Sequence, residues 1–213
     1  MTTEASLSIY LTEFLLIAAV HFLAVASPGP DFAIIVKQSI SRGRQHALMT
    51  SAGIGCGILL HVTYSLIGIG LLIANSPKLF NVLTYVAAAY LFYIGVQGIR
   101  AKPSTDNTVE QNKQAKTQTL GKAFLTGFLV NGLNVKATLF FVSLFSLVIS
   151  TSTPIIVQSI YGIYMAIATA AWFSFLSVIL TVDRVRAKLL AKGYIFDRIM
   201  GVVLILLAIS ILI

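Results

Sequence analysis

Residues 11–36 read LTEFLLIAAVHFLAVASPGPDFAIIV, an apolar run interrupted by Pro28, Gly29, Pro30 and Asp31. A run of this length can cross a bilayer, because a hydrocarbon core of about 30 Å needs about 20 helical residues. Both prolines lack an N–H, so the helix loses hydrogen bonds here and should break. Backbone groups that are freed in lipid are tolerated mainly where they line a cavity. This stretch therefore predicts a broken membrane helix beside a wet cavity.

The composition excludes most other classes of protein. Of the 213 residues, 57% are hydrophobic and 10% are charged, and the mean hydropathy is +0.91. In a water-soluble domain about a quarter of the residues are charged, and a disordered chain has low hydrophobicity. The single cysteine, Cys56, cannot form an internal disulfide or a multi-cysteine zinc site. We therefore expect an integral membrane protein that holds no cofactor and no metal.

Six apolar stretches are long enough to form membrane helices. Their approximate limits are residues 11–36, 47–73, 79–99, 123–149, 155–182 and 194–213. None of them alternates apolar and polar residues in the way that barrel strands do. The sequence thus predicts an all-α, polytopic membrane protein with six transmembrane helices, surrounded by a lipid bilayer.

Lysine and arginine are concentrated in alternate loops between the predicted spans. Thirteen of the fifteen lie in the first, third and fifth loops, namely Lys37, Arg42, Arg44, Arg100, Lys102, Lys113, Lys116, Lys122, Arg184, Arg186, Lys188, Lys192 and Arg198. The positive-inside rule then places these three loops in the cytoplasm and both termini outside. The net charge of +8 reflects this orientation, so we do not expect a nucleic acid as a partner.

A hydrophilic stretch, residues 101–118, divides the chain into two halves. Its Lys, Gln, Asn and Thr content predicts a cytoplasmic linker. Residues 1–100 and 119–213 then hold three spans each. Because three is odd, duplicated halves would enter the membrane from opposite sides. Both first spans have a polar interruption, around Asp31 and Lys136, so we expect two inverted three-helix repeats.

Charged and amide side chains inside the predicted spans indicate a site. Asp31 is the only acidic residue in the interior of a predicted span, where an unpaired charge costs about 2.5 kcal/mol or more. A purely structural ion pair between Asp31 and Lys136 is one interpretation. Asn131 and Asn134 lie within one turn of Lys136 and add amide donors and acceptors, which favours binding. Trp172, at mid-span, is compatible with a cavity wall or with packing.

Two histidines and two sets of small residues add to the pattern. His21 and His61 interrupt the first two spans, and each is either a proton relay or a packed, hydrogen-bonded histidine. Gly53 and Gly57 form a small-residue face, which predicts close helix packing. A second such face consists of Gly162, Ala166 and Ala170.

The motifs resemble those of a known family. They are Ser27-Pro28-Gly29-Pro30-Asp31, Ser41-Arg42-Gly43-Arg44, Tyr90-Leu91-Phe92-Tyr93-Ile94-Gly95, Phe124-Leu125-Thr126-Gly127, and Asn134 with Lys136. In these residues the chain is similar to the LysE/RhtB family of amino-acid exporters over nearly its whole length. Two further segments look closest to the threonine-efflux branch, namely Phe145-Ser146-Leu147 and Ala171-Trp172-Phe173.

One residue departs from the family pattern. The family usually has Asn-Pro-Lys in the fourth span, and Val135 stands at the place of that proline. Without it the sequence no longer predicts a break at this point. An unbroken helix would leave Asn134 and Lys136 on its surface.

The resemblance implies a secondary exporter of a small amino acid, threonine or homoserine-like, that works by proton antiport in a bacterial cytoplasmic membrane with alternating access. The substrate-binding residues are then expected to be Pro28, Gly29, Pro30, Asp31, Asn131, Asn134, Lys136 and Trp172. In this picture Asp31 holds the α-ammonium, Lys136 and Asn134 hold the α-carboxylate, and Asp31 or His61 carries the proton.

Two other classes of protein share this hydropathy. One is a passive amino-acid or ion channel. The other is a six-span intramembrane enzyme, which the sequence disfavours because it contains neither a Gly-x-Ser nor a His-Glu-x-x-His motif. The sequence does not distinguish a monomer from a homodimer.

Overall fold

The computed structural model describes residues 3–27, 29–102, 118–150, 152–180 and 182–209. Within these ranges the chain forms eight helices and no strand, so the predicted all-α class is confirmed. The helices are α1 (Thr3–Ala26), α2 (Pro30–Ser41), α3 (Arg44–Asn75), α4 (Pro77–Ile99), α5 (Leu120–Gly132), α6 (Val135–Val148), α7 (Ile155–Ile179) and α8 (Asp183–Ile209). Pro28 and most of the predicted linker lie outside the described residues.

Side-chain caps and a proline determine where α4 and α5 begin. The Ser76 hydroxyl accepts a hydrogen bond from the Leu79 N–H at 3.3 Å. Pro77 follows as the first residue of α4, a position whose N–H has no helical acceptor in any case. The Thr119 hydroxyl caps α5 in the same way and accepts the Lys122 N–H at 3.3 Å. The chain therefore enters α5 directly after the linker.

Two of the predicted spans are broken. The first ends as α1 at Ala26 and resumes as α2 at Pro30, which confirms the predicted break. The fourth is divided as well, since α5 ends at Gly132, α6 begins at Val135, and the two axes are bent by 58°. The second break, which the sequence leaves undecided, is therefore present without the family's proline. The physical reason is Asn134, which adopts an extended backbone and caps α6 with its side chain.

Among the residues that the structure describes, three helical segments are long and apolar enough to cross a membrane, namely Leu7–Ala26, Arg44–Gly68 and Ile155–Ile179. The bent pair of α5 and α6 is a fourth candidate, and Thr84–Ile99 is a shorter apolar helix. Helix α8 begins at Asp183, eleven residues before the start predicted for the last span. The basic residues between 184 and 192 therefore lie on the helix that leads into this predicted span.

Small residues make the closest helix contacts. A Cβ at Gly53 would lie 2.0 Å from the Phe124 carbonyl oxygen, and one at Gly127 would lie 2.0 Å from the Thr50 carbonyl oxygen. The backbones of α3 and α5 therefore touch. Further contacts of this kind join α3 to α7 and α4 to α8 at Gly55, Gly162, Gly95, Gly98 and Gly201. The predicted close packing at both small-residue faces is confirmed.

We expect Gly53→Ala to prevent the native packing of α3 against α5. The added methyl would overlap the Phe124 carbonyl oxygen, a backbone atom that cannot rotate away, and overpacking of this kind costs about 1–3 kcal/mol or more. The thermal midpoint of the purified protein in detergent should fall. Gly68→Ala in the same helix is the matched control, because nothing lies within 4 Å of a Cβ there. Equal midpoints for the two variants would contradict the contact.

A buried carboxylate ties α1 to the connection between α6 and α7. Glu13 is 7% exposed, and its oxygens accept the Ser150 N–H at 2.8 Å and the Thr153 hydroxyl at 2.9 Å. The Tyr161 hydroxyl lies 3.3 Å from the same carboxylate and 2.9 Å from the Tyr10 carbonyl oxygen. These neutral donors satisfy a carboxylate that would otherwise be costly to bury.

Candidate substrate-binding site

The two helix breaks border one cavity of about 80 Å³. A water molecule needs roughly 10–15 Å³, so the cavity has room for several waters or a small solute. Six of the eight predicted substrate-binding residues line it, namely Gly29, Pro30, Asp31, Asn131, Asn134 and Lys136. The rest of the wall includes apolar side chains, among them Ile58, Ile94, Phe140, Phe141, Phe173 and Leu204.

Asp31 lies in the first turn of α2 and is linked across the cavity to α5. The Nδ2 group of Asn131 donates a hydrogen bond to Oδ2 of Asp31 at 3.0 Å. The Asn131 side chain fits here because its neighbour on α3 is Gly57, where a Cβ would lie 2.6 Å from the Asn131 Oδ1. Asp31 is thus hydrogen-bonded to an amide, and the charge of Lys136 acts on it without a hydrogen bond between the two side chains.

Two acceptor oxygens in this cluster lack a donor. Oδ1 of Asp31 and Oδ1 of Asn131 are both buried, and neither has a hydrogen-bond partner. A buried acceptor without a partner costs free energy, more so when it is charged. Oδ1 of Asp31 can therefore accept a hydrogen bond from a further N–H or O–H donor.

Asn134 begins α6 and places Lys136 in its first turn. Oδ1 of Asn134 accepts the N–H groups of Lys136 at 3.1 Å and of Ala137 at 3.4 Å. It thereby satisfies two of the donors that every helix start leaves free. Lys136 lines the cavity, and its charge interacts with the carboxylates of Asp197 and Asp31. The second break thus contributes the cation of the site.

We expect Val135→Pro, which restores the family's Asn-Pro-Lys sequence, to be tolerated. Asn134 already has φ −77° and ψ 100°, the extended conformation that a residue before proline needs. Position 135 is the first residue of α6, where proline is favoured. The free energy of unfolding should be unchanged or rise by about 0.4–1 kcal/mol. The thermal midpoint in detergent should therefore be unchanged or higher.

Asn134→Ala is the contrasting variant, because it removes the cap that makes the break. We expect it to lose about 1 kcal/mol of stability, measured in the same way. If Val135→Pro lowered the midpoint as much as Asn134→Ala does, the assigned helix start would be incorrect.

His61 packs behind the end of α5 and is not among the residues that line the cavity. Its Nε2 donates to the Asn131 carbonyl oxygen at 3.0 Å, so its Nδ1 is left to accept from the Tyr64 hydroxyl. The Thr138 hydroxyl lies 3.5 Å from the same Nδ1, and the ring stacks on Phe141 at 5.6 Å. Of the two interpretations given to this histidine, the arrangement resembles the packed, hydrogen-bonded one.

Trp172 also lies outside the cavity lining. Its ring packs edge-on against Phe22 at 5.2 Å and lies 6.1 Å from Phe175. The next residue, Phe173, lines the cavity instead. Neighbouring residues of a helix point about 100° apart, so the rotation of α7 decides which of the two faces the cavity.

Three polar residues around the site are absent from the predicted site residues, namely Ser27, Asp197 and Thr169. The Ser27 hydroxyl donates to the carboxylate of Asp197 on α8, and Thr169 of α7 pairs with His21. Glu13, a buried acidic residue near the start of the first predicted span, lies away from the cavity lining. Ser27 adjoins the proline motif, which is a usable signal. The others are single polar residues in apolar helices, and only the tertiary structure shows their partners.

Comparison with known proteins identifies the family. The model of the LysE type translocator family matches residues 22–213. The chain belongs to this family. The resemblance noted from the motifs is thereby confirmed, and this LysE-type translocator is a multi-pass membrane protein.

Several relatives of this LysE-type translocator carry functional names. The threonine efflux protein of Escherichia coli (strain K12) is 30% identical over 186 residues, 86% of this chain and 87% of that protein. The threonine efflux protein of Salmonella typhimurium (strain LT2) is 30% identical over 183 residues, 85% of each chain. The leucine efflux protein of the same strain is 32% identical over 144 residues, 65% of this chain and 63% of that protein. No solved structure matches the chain.

Proposed function

We propose that this chain exports a small amino acid, threonine or homoserine-like, from the cytoplasm across a bacterial inner membrane. Relatives are named for the efflux of threonine and of leucine, which share the ammonium and carboxylate groups of every amino acid. The single observation that carries the proposal is the cavity between the two breaks. It holds the carboxylate of Asp31, with one oxygen unpartnered, and the amine of Lys136. An amino-acid zwitterion is complementary to these two side chains, because its ammonium group pairs with Asp31 and its carboxylate with Lys136.

The α-ammonium of the substrate binds at Asp31 in this proposal. Its N–H groups satisfy Oδ1 of Asp31, while Oδ2 keeps its hydrogen bond to Asn131. Hydrogen bonds to charged groups contribute about 1.5–3 kcal/mol each. The backbone carbonyls freed around Gly29 are further acceptors beside the same residue.

The α-carboxylate binds at the two helix starts that border the cavity. Lys136 supplies the charge, and Nδ2 of Asn134 is still a donor because only its oxygen is used for capping. At α2 the N-cap residue is Gly29, which has no side chain to cap the first N–H groups. Uncapped N–H groups and the positive end of the helix dipole both favour an anion.

We further propose that the chain crosses the membrane six times as two inverted halves, residues 1–100 and 119–213, with both termini outside. Each half begins with a broken helix and continues with two long ones, α3 and α4 in the first half and α7 and α8 in the second. The helices that would be equivalent pack on each other, α3 on α7 and α4 on α8, and this packing is compatible with a two-fold relation between the halves. Movement of one half against the other then gives alternating access.

Proton entry is the proposed energy source, with Asp31 as the carrier and His61 as the second candidate. Once the Asp31 carboxylate has taken up a proton, it loses the negative charge that holds the substrate's ammonium group. Competition between the two at Asp31 therefore links proton uptake to substrate release. His61 bonds the carbonyl of Asn131, the residue whose side chain holds Asp31.

The test is a panel of radiolabelled amino acids in proteoliposomes with an imposed pH gradient. We expect threonine to be accumulated against its concentration gradient only while the pH gradient lasts. Equilibration without accumulation would indicate a passive channel instead. No flux of any amino acid in the panel, with the protein shown to be folded, would refute the proposal.

A further inference from the structure

A hydrogen-bonded polar pair is buried in the apolar part of the cavity wall. His21 of α1 and Thr169 of α7 both line the cavity, and they are 2% and 1% exposed. The Thr169 Oγ1 lies 3.0 Å from the His21 Nε2. The flanking turns of both helices belong to the apolar core, through Ile17, Val20, Met165 and Ala166. Burying two polar groups there costs free energy that one hydrogen bond only partly offsets.

The hydroxyl of Thr169 differs from most other hydroxyls on the described helices. Those that donate to the carbonyl oxygen four residues earlier are Thr12, Thr50, Ser51, Thr63, Thr126, Thr138, Ser146, Ser159 and Ser177. Within the described part of the chain, Thr169 instead has the His21 ring as its one hydrogen-bond partner. A hydroxyl offers one donor and two acceptor sites, so Thr169 keeps unused hydrogen-bonding capacity at the cavity.

We propose that the His21–Thr169 pair recognises a hydroxyl group on the substrate side chain, so that the protein prefers threonine to valine, which has the same shape. This inference rests on the proposed function, in which Asp31 and Lys136 hold the two charged ends common to all amino acids. The aromatic ring of Phe141, 6.1 Å from the His21 ring, lies beside the pair. It provides an apolar contact for the methyl group.

The expected preference is roughly 10- to 100-fold in kcat/KM for threonine over valine. It arises because valine would place a methyl group against polar atoms that need a hydrogen-bond partner. Sites that pair buried polar groups with a substrate hydroxyl reject the analogue that lacks it far better than they reject a missing methylene.

Thr169→Val tests the inference directly, because it makes in the protein the same exchange of hydroxyl for methyl that separates the two substrates. Efflux of radiolabelled threonine and valine is measured from proteoliposomes with equal amounts of folded protein. We expect the threonine-to-valine ratio of kcat/KM to fall at least about tenfold, through loss of threonine efflux with valine efflux retained. Thr169→Ser keeps the hydroxyl and should keep the preference.

Thr63→Val is the matched control for this substitution. Thr63 is exposed on α3 and donates to the Leu59 carbonyl oxygen at 2.7 Å. The threonine-to-valine ratio of kcat/KM in Thr63→Val should therefore equal that of the wild type. An unchanged ratio in Thr169→Val, or a wild type that exports both amino acids equally, overturns the inference and leaves export itself intact. If the wild type moves no amino acid, the proposed function fails instead.

A second measurement decides the matter if Thr169→Val does not fold. Threonine and valine are compared for the rise in thermal midpoint that each gives to the wild type and to Thr169→Ser. Stronger stabilisation by threonine in both proteins supports the inference, since at equal concentration the ligand with the higher affinity for the folded protein stabilises it more. Equal stabilisation by the two amino acids overturns it.

Discussion

Replacing Asp31 with asparagine is expected to abolish export driven by a pH gradient. The amide cannot take up a proton, so the link between proton entry and substrate release is lost. It also lacks the charge that holds the ammonium, which should lower the apparent affinity roughly 10- to 100-fold. The fold should survive, because an amide oxygen can still accept the hydrogen bond from Asn131.

The measurement is threonine efflux from proteoliposomes with and without an imposed pH gradient. In Asp31→Asn the efflux rate with the pH gradient, divided by the rate without it, should fall to about one, because this site no longer exchanges a proton. Glu13→Gln is the matched control, since it makes the same chemical change in the same predicted span but away from the cavity lining. It should keep the response to the gradient while lowering the thermal midpoint. A normal response in Asp31→Asn would refute the role given to this residue.

Replacing Lys136 with glutamine should weaken the binding of the substrate's carboxylate selectively. We expect KM for threonine to rise roughly 10- to 100-fold, because a charge-assisted contact is lost from a largely buried site. Threonine amide has no carboxylate, so its binding should change little. The assay is competition of threonine and of threonine amide against a labelled substrate.

Lys37→Gln is the control for this prediction. Lys37 is exposed on α2 and does not line the cavity, so both competitors should behave as they do with the wild type. If Lys136→Gln weakened the acid and the amide equally, Lys136 would act on the structure of the site and not on the carboxylate.

The broken first span could be predicted because its cause is covalent. A proline has no N–H in any environment, so the end of α1 follows from the residues themselves. The clustering of Asp31, Asn131 and Lys136 could be expected for a similar reason, since polar groups in apolar spans must gather to avoid lipid.

The second break could not be predicted, because it depends on a competition between hydrogen bonds. Asn134 bonds the start of α6 instead of continuing α5, and both arrangements satisfy the backbone. The environments of His61 and Trp172 were also unpredictable. They depend on the rotation of α3 and α7 and on a carbonyl that is 70 residues distant in sequence from His61.

The glycine contact between α3 and α5 has a mechanical consequence. No side chain separates the two backbones at Gly53 and Gly127, so no rotamer change can loosen them. Helices in such contact can roll over each other, but sliding would drive one carbonyl into the opposing backbone. If the halves move as proposed, we expect this contact to stay closed and the displacements to grow with distance from it.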